Sequence, residues 1–365
     1  MAKNATAQAN VANHGEVTFV LPGDGRSGGV RVTVLMANLL LKRFHRVRIV
    51  IPRGRVSLRA RLSNLVASLR PGRSKTSGFL HQFTGNVESY TSLDDLTYAQ
   101  NEIVIAVGTY SMPDVRKMTK PVIKLRFNHG FPAQPTAEQA RAWDGPLPTI
   151  TVSNTLVPRL QELTGGHVLG VVPNGIDTQD YFPDTSVVRD GIGALYNGHP
   201  NKAPEDMIAV LQAAHQRWPD VPQYVFSTER KPAALAHVNF TRLPSVPDAR
   251  AIYSRCKIWL LTSRTEGLPG VVLEAMACGC VVISTDNDGS LEILRHNQNG
   301  VIVRRGDRTA FHQEVGRLLG DPDLVASLSA AAVRTAEQFT WSRAADKMEQ
   351  VLRDLRDALR LAIRA

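Results

Sequence analysis

Short apolar runs rich in Val and Ile recur along the chain: Val17–Leu21, Val47–Ile51, Ile103–Val107, Val122–Phe127, Thr149–Ser153 and Val168–Val172, then Ala194–Asn197, Tyr224–Ser227, Ile258–Thr262 and Val281–Thr285. Several lack alternation between apolar and polar positions, as strands buried on both faces do. Between many of them, apolar residues return every three or four positions, as in Val32–Phe44, Met207–Arg217 and Val271–Cys278. That spacing lays one apolar stripe along a helix. Strand and helix taking turns predicts parallel sheets with helices on both faces. About ten strands divide best into two such sheets, with a hinge near Phe182–Pro183 after the Pro173-Asn174-Gly175 turn. In the last segment, Ser342–Arg364, an apolar stripe of Met348, Val351, Leu352, Leu355 and Leu359 predicts an amphipathic helix that could run back across the first domain.

Length supports the division. The 365 residues exceed the roughly 250–300 at which one hydrophobic core stops growing. The expected units are an N-terminal Rossmann-like domain over 1–183, a C-terminal Rossmann-like domain over 184–341 and the helix over 342–365. The first fourteen residues hold no signal-like apolar core, and no later run nears the ~20 apolar residues of a membrane span. A soluble, cytoplasmic chain is expected. Its three cysteines, Cys256, Cys278 and Cys280, read as free buried thiols, since two stand one residue apart and cannot bridge without severe strain.

Charge is uneven. Residues 1–184 carry 21 Lys and Arg against 13 Asp and Glu, whereas 185–365 carry 22 against 20. Residues 42–75 hold eleven Lys or Arg and no acid, a field that attracts anionic surfaces. Within that stretch Leu58, Leu62, Leu65, Val66 and Leu69 share a helical face, with Arg59, Arg61 and Arg70 outside it. Two readings stand: a helix packed on the sheet, or an interfacial helix resting on an anionic membrane as a peripheral anchor. No aromatic residue interrupts 47–73 to stack bases, so nucleic acid is not the expected partner.

The chemistry concentrates in Ser263-Arg264-Thr265-Glu266-Gly267-Leu268-Pro269-Gly270-Val271-Val272-Leu273-Glu274, which follows a predicted strand and opens a helix of about ten residues ending at Gly279. Pro269 suits the first helical turn and Gly279 the left-handed position past the last. Unpaired N–H groups at such a helix start form a seat for an anion such as a diphosphate. Glu266 lies before that start and Glu274 about two turns along. Carboxylates touching a phosphate would be repelled by it, so the two more naturally accept hydrogen bonds from hydroxyls on either side. Asp286-Asn287-Asp288 reads as turn chemistry rather than a metal site.

This stretch resembles the Glu-x7-Glu motif of retaining glycosyltransferases of family 4, which have the GT-B fold of two doubly wound Rossmann-like domains facing across a cleft. The match continues through Val281–Thr285, Gly289, Glu292 and Asn299-Gly300. Weaker matches cover much of the rest: Ser27-Gly28-Gly29, Val152-Ser153-Asn154, Val172–Asp177 and Phe339-Thr340-Trp341. The resemblance implies a nucleotide-diphosphate sugar as donor, a carbohydrate or lipid-linked acceptor, no cofactor and no metal. It places Gly28 and Gly29 close to the donor phosphate and acceptor, Glu266 on the donor sugar, Glu274 on the ribose, and the backbone around Leu268, Pro269, Gly270, Val271 and Val272 on sugar and diphosphate. His129 falls beside the donor sugar. Lys202 falls where the family has a basic pair that neutralises the leaving diphosphate. The expected arginine of that pair is His199 here, so His199, Arg230 and Lys231 are the candidates for the second charge. Retention would follow from front-face displacement, in the assembly of a surface polysaccharide. Two other readings fit the same features: a GT-B nucleotide-sugar epimerase, and a catalytically weak homologue acting as a membrane-associated binding protein.

Overall fold

The computed structural model describes residues 15–364 apart from Arg26, Phe44, 54–77, 132–135, Asp144 and Pro146. The basic helix expected around Leu58–Leu69 lies outside the described residues.

The first sheet is built from β1 (Glu16–Val20), β2 (Arg46–Pro52), β3 (Asn86–Tyr90), β4 (Ile103–Val107), β5 (Ile123–Asn128), β6 (Thr149–Thr151) and β7 (Val168–Val171). All its pairings are parallel, in the order β3-β2-β1-β4-β5-β6-β7. The second sheet comprises β8 (Gly191–Leu195), β9 (Gln223–Ser227), β10 (Asn239–Arg242), β11 (Cys256–Leu261), β12 (Val281–Thr285) and β13 (Val301–Val303), again parallel, in the order β10-β9-β8-β11-β12-β13. β4 and β12 are buried throughout, as their unbroken apolar runs require. β3, β10 and β13 are strands that the apolar pattern does not announce.

Chain order reverses between β1 and β4 in the first sheet and between β8 and β11 in the second. Crevices outside the carboxyl ends of strands at such reversals are where open α/β sheets bind ligands. Five helices shape them: α1 (Gly28–Lys42), α2 (Val246–Arg255), α3 (Gly270–Ala277), α4 (Asp288–Ile293) and α5 (Trp341–Arg364). α1 follows β1 directly, with Ser27 as its N-cap accepting from the Val30 N–H. α3 is shorter than expected, at eight residues, and Pro269 is its extended N-cap rather than a residue of its first turn. Gly279, at φ +84°, turns the chain back into β12.

α5 returns to the first domain. Arg43, just past α1, donates to Asp346 and Glu349, and the His45 ring bonds Glu349 at 2.8 Å. At its start, Ile176 N–H donates to the Phe339 carbonyl at 2.7 Å, and a Cβ on Gly175 would lie 2.4 Å from the Trp341 nitrogen. Two of the weak sequence matches, Asn174–Ile176 and Phe339–Trp341, therefore meet in space. No helix among the described residues is long and apolar enough to cross a membrane.

Candidate active site

Each predicted site residue follows a strand end at the cleft. Gly28 and Gly29 follow β1, His129 follows β5, His199 and Lys202 follow β8, Arg230 and Lys231 follow β9, and Glu266 through Glu274 follow β11.

Backbone meets backbone where the two domains touch. A Cβ on Gly29 would lie 3.5 Å from the His129 ring, and a Cβ on Gly267 would lie 1.9 Å from the His129 carbonyl oxygen. Gly289 N–H donates to the Glu266 carbonyl at 3.1 Å, and a Cβ there would come within 2.8 Å of the Gly267 backbone. His129, Gly267 and Gly289 thus stack with no room for side chains between them. Further ties cross the cleft: Asn174 Nδ2 donates to the Leu268 carbonyl at 2.8 Å, and the Thr265 hydroxyl to the Phe131 carbonyl at 3.1 Å. Glu292 of α4 accepts from the backbone N–H of Asn154 and of Thr155 and from Asn154 Nδ2. Asn154 and Glu292 belong to separate sequence matches, and only the fold reveals that they are partners.

Both glutamates are paired. Lys202 Nζ lies 2.6 Å from Glu266 Oε1, within the second domain. Glu274, with its side chain 7% exposed, receives Arg31 Nη1 at 2.7 Å on one oxygen and the Tyr253 hydroxyl of α2 at 2.9 Å on the other. Arg31 stands in the first turn of α1 and reaches Glu274 across the cleft. The Glu274 carboxylate, above all, holds the Arg31 guanidinium even more firmly protonated than usual, while burial raises the phenol pKa of Tyr253 and of the neighbouring Tyr181. Sequence reading missed Arg31. Its one local signal is its place two residues after Gly29 in a first turn without acids.

The other proposed cations are placed less favourably. His199 caps a short 3-10 turn, Pro200–Lys202, its Nδ1 accepting from Asn201 N–H at 3.2 Å. Lys231 donates to the Ala236 and Val238 carbonyls. Arg230 is exposed. At the start of α3, Gly270 and Val271 are half-buried, and beside Gly270 a Cβ would meet nothing within 4 Å, as is also true at Gly28. Asp286 pairs with Arg305, Asn287 caps α4 by accepting from Ser290 N–H, and the Asp288 carbonyl accepts from Thr155, so this triplet works as turn and cap.

Above the first sheet's reversal lies a cavity of about 210 Å³ lined by residues including Ser27, Gly29, Thr109, Asn128, His129 and Trp143. Asn128 Nδ2, His129 Nε2 and Trp143 Nε1 are buried nitrogens without a hydrogen-bond partner. Burial lowers the His129 pKa to about 4, so its ring is neutral near pH 7.

Residues 192–321 match the family described as Glycosyl transferases group 1. The chain carries a group 1 glycosyl transferase domain. Glu266, Glu274, Lys202 and the start of α3 all fall inside it. The chain is 27% identical over 216 residues to a GDP-mannose-dependent alpha-(1-6)-phosphatidylinositol monomannoside mannosyltransferase of Mycolicibacterium smegmatis, covering 51% of this chain and 56% of that protein. To a D-inositol 3-phosphate glycosyltransferase of Thermobispora bispora it is 34% identical over 105 residues, 29% of this chain and 24% of the relative. The alignments thus span roughly a quarter to a half of the curated relatives' length. Among solved structures, Anabaena HepE in complex with UDP and glucose superposes with a TM-score of 0.73 at 16% identity, over 93% of this chain and 100% of its own. Sucrose-phosphate synthase of Thermosynechococcus elongatus gives 0.70 at 15%, over 95% and 100%. The group 1 domain and the domain before it together have the GT-B fold.

Proposed function

We propose that the protein is a retaining glycosyltransferase of family 4 that moves a sugar from a nucleotide-diphosphate donor to a hydroxyl of a carbohydrate or lipid-linked acceptor, in cell-surface polysaccharide assembly at the cytoplasmic side of a membrane. One observation carries the reading: the open start of α3 lies between two carboxylates, Glu266 and Glu274, each bonded to a cation. The helix start takes the diphosphate through its unpaired N–H groups. Glu266 takes hydroxyls of the donor sugar and Glu274 those of the ribose. Lys202 meets the charge that grows on the departing phosphate oxygen, where a preorganised cation lowers the barrier by about 3 kcal/mol.

The bond from the anomeric carbon to the phosphate oxygen breaks, and its electron pair leaves with the diphosphate. The acceptor oxygen bonds to the same face of that carbon, and its proton passes to the departing phosphate oxygen. His129, with the 210 Å³ cavity on the first domain, faces the place where donor sugar and acceptor meet. The unpartnered nitrogens of Asn128 and Trp143 suit oxygen acceptors on a hydroxyl-bearing ring. The relatives that act on inositol phosphate and phosphatidylinositol mannoside, and the UDP bound by HepE, support this substrate class.

A thermal-shift screen across nucleoside diphosphates and their sugars tests the reading. A donor at about 100 times its Kd stabilises the chain by ~2.7 kcal/mol. A chain that no nucleotide stabilises is not this enzyme.

A further inference from the structure

Glu266 and Glu274 are matched by cations of different origin. Lys202 belongs to the same domain as its glutamate, whereas Arg31 comes from the domain opposite. We infer that Arg31 is the second cation of the diphosphate site, exchanging Glu274 for the phosphate oxygens when a nucleotide diphosphate enters. This rests on the donor-site reading above.

Reach comes first. Glu274 stands four residues after Gly270, about 6 Å along the helix axis from the anion seat. A guanidinium that already touches Glu274 therefore spans that distance by turning its own side chain. Both helix starts facing the gap are open, since a Cβ on Gly28 or on Gly270 would meet nothing within 4 Å.

Partner exchange comes second. A ribose offers Glu274 two hydroxyl donors, and a diphosphate offers Arg31 several anionic oxygens in the forked geometry that guanidinium matches best. Both ends of the ion pair thus gain partners from one ligand. Tyr253 keeps its bond to Oε2, so the carboxylate stays in place when the arginine leaves it.

Third, the second charge is otherwise poorly supplied. His199 stands where an arginine is expected and has its Nδ1 occupied, Lys231 is bound to two carbonyls, and Arg264 is paired with Glu205. Arg31 is the cation that the fold delivers next to the helix that forms the seat. A tie between the domains would then become a tie through the ligand.

The experiment is calorimetric binding of UDP and GDP, each beside its nucleoside, to wild type, Arg31→Gln and the double variant Arg31→Gln with Glu274→Gln, all checked for an intact melting transition. Arg31→Gln should weaken the diphosphate that wild type binds by about tenfold to a hundredfold, the worth of one charged hydrogen-bonded contact. The nucleoside's affinity should stay equal or rise. In the double variant, which leaves no unpaired carboxylate, the preference for diphosphate over nucleoside must also fall. If Arg31→Gln tightens both ligands by one factor, Arg31 only obstructs Glu274 and the inference is overturned. Unchanged binding of both overturns it too. A wild-type chain that binds no diphosphate sinks the donor-site reading and this inference with it, whereas diphosphate binding that survives Arg31→Gln sinks the inference alone.

Discussion

Replacing Gly267 by Ala adds one methyl group at the tightest point between the domains. Gly267 does not have a positive φ, so the backbone tolerates alanine, and the effect is purely steric. The new Cβ would lie 1.9 Å from the His129 carbonyl oxygen and 2.5 Å from its carbon. Non-bonded heavy atoms settle near 3.5 Å, so the overlap is about 1.5 Å. The neighbours are main chain, which no side-chain rotation clears, and Gly289 closes the opposite side at 2.8 Å. Relief requires the domains to part by more than 1 Å. A displacement of ~1 Å between reacting groups costs on the order of a hundredfold in rate. The assay is initial rates of sugar transfer from the donor that the thermal-shift screen selects, beside calorimetric affinity for the matching diphosphate. kcat/KM should fall about a hundredfold, and diphosphate affinity far less, because its seat is built within the second domain. An alanine variant with wild-type kcat/KM would refute the idea that this backbone contact sets the register between donor and acceptor.

Two further outcomes follow from buried polar groups. Burial holds the His129 pKa near 4 against an ordinary 6.5, so between those values the unfolded chain binds a proton that the folded chain does not. Its contribution to stability is complete above about pH 6.5 and is lost as pH falls toward 4, by up to about 1.4 kcal/mol per pH unit. Melting curves of wild type and His129→Gln over that window should show a shallower dependence in the variant, and parallel slopes would discount the residue. Glu349, its side chain 14% exposed, accepts from both Arg43 and His45 where α5 meets α1. Glu349→Ala should destabilise the chain by about 1–3 kcal/mol and expose α5 to limited proteolysis. Cleavage at the wild-type rate would show that apolar packing alone holds the helix.

The strands that the apolar pattern failed to announce share one position. β3, β10 and β13 are all edges of their sheets. An edge strand is covered on fewer sides, so it needs no unbroken apolar run: β3 reads Asn-Val-Glu-Ser-Tyr with only Tyr90 buried, and β13 has three residues. β7 was legible because α5 covers it, as shown by Val351, which would come within 2.9 Å of a Cβ on Gly170. Central strands are buried on both faces and declare themselves. The two-sheet architecture was legible for that reason, and the exact edges were not.

At the site, residues that act within one segment were readable, and residues that act through pairing were not. Glu266, the start of α3 and Glu274 form one local pattern in the sequence. Arg31 and Glu274 are 243 positions apart, and Asn154 and Glu292 are 138 apart, so no periodicity links them. These long-range pairs also answer the electrostatic difficulty the sequence raised, of two acids beside an anion seat. With Lys202 on Glu266 and Arg31 on Glu274, the two acids are neutralised pairwise. A diphosphate then enters a site whose remaining field is that of the α3 N-terminus, which favours it. Binding exchanges partners instead of adding charge to charge. The missing arginine at position 199 is therefore compensated from the other domain, at the expense of making donor affinity depend on how the two domains stand.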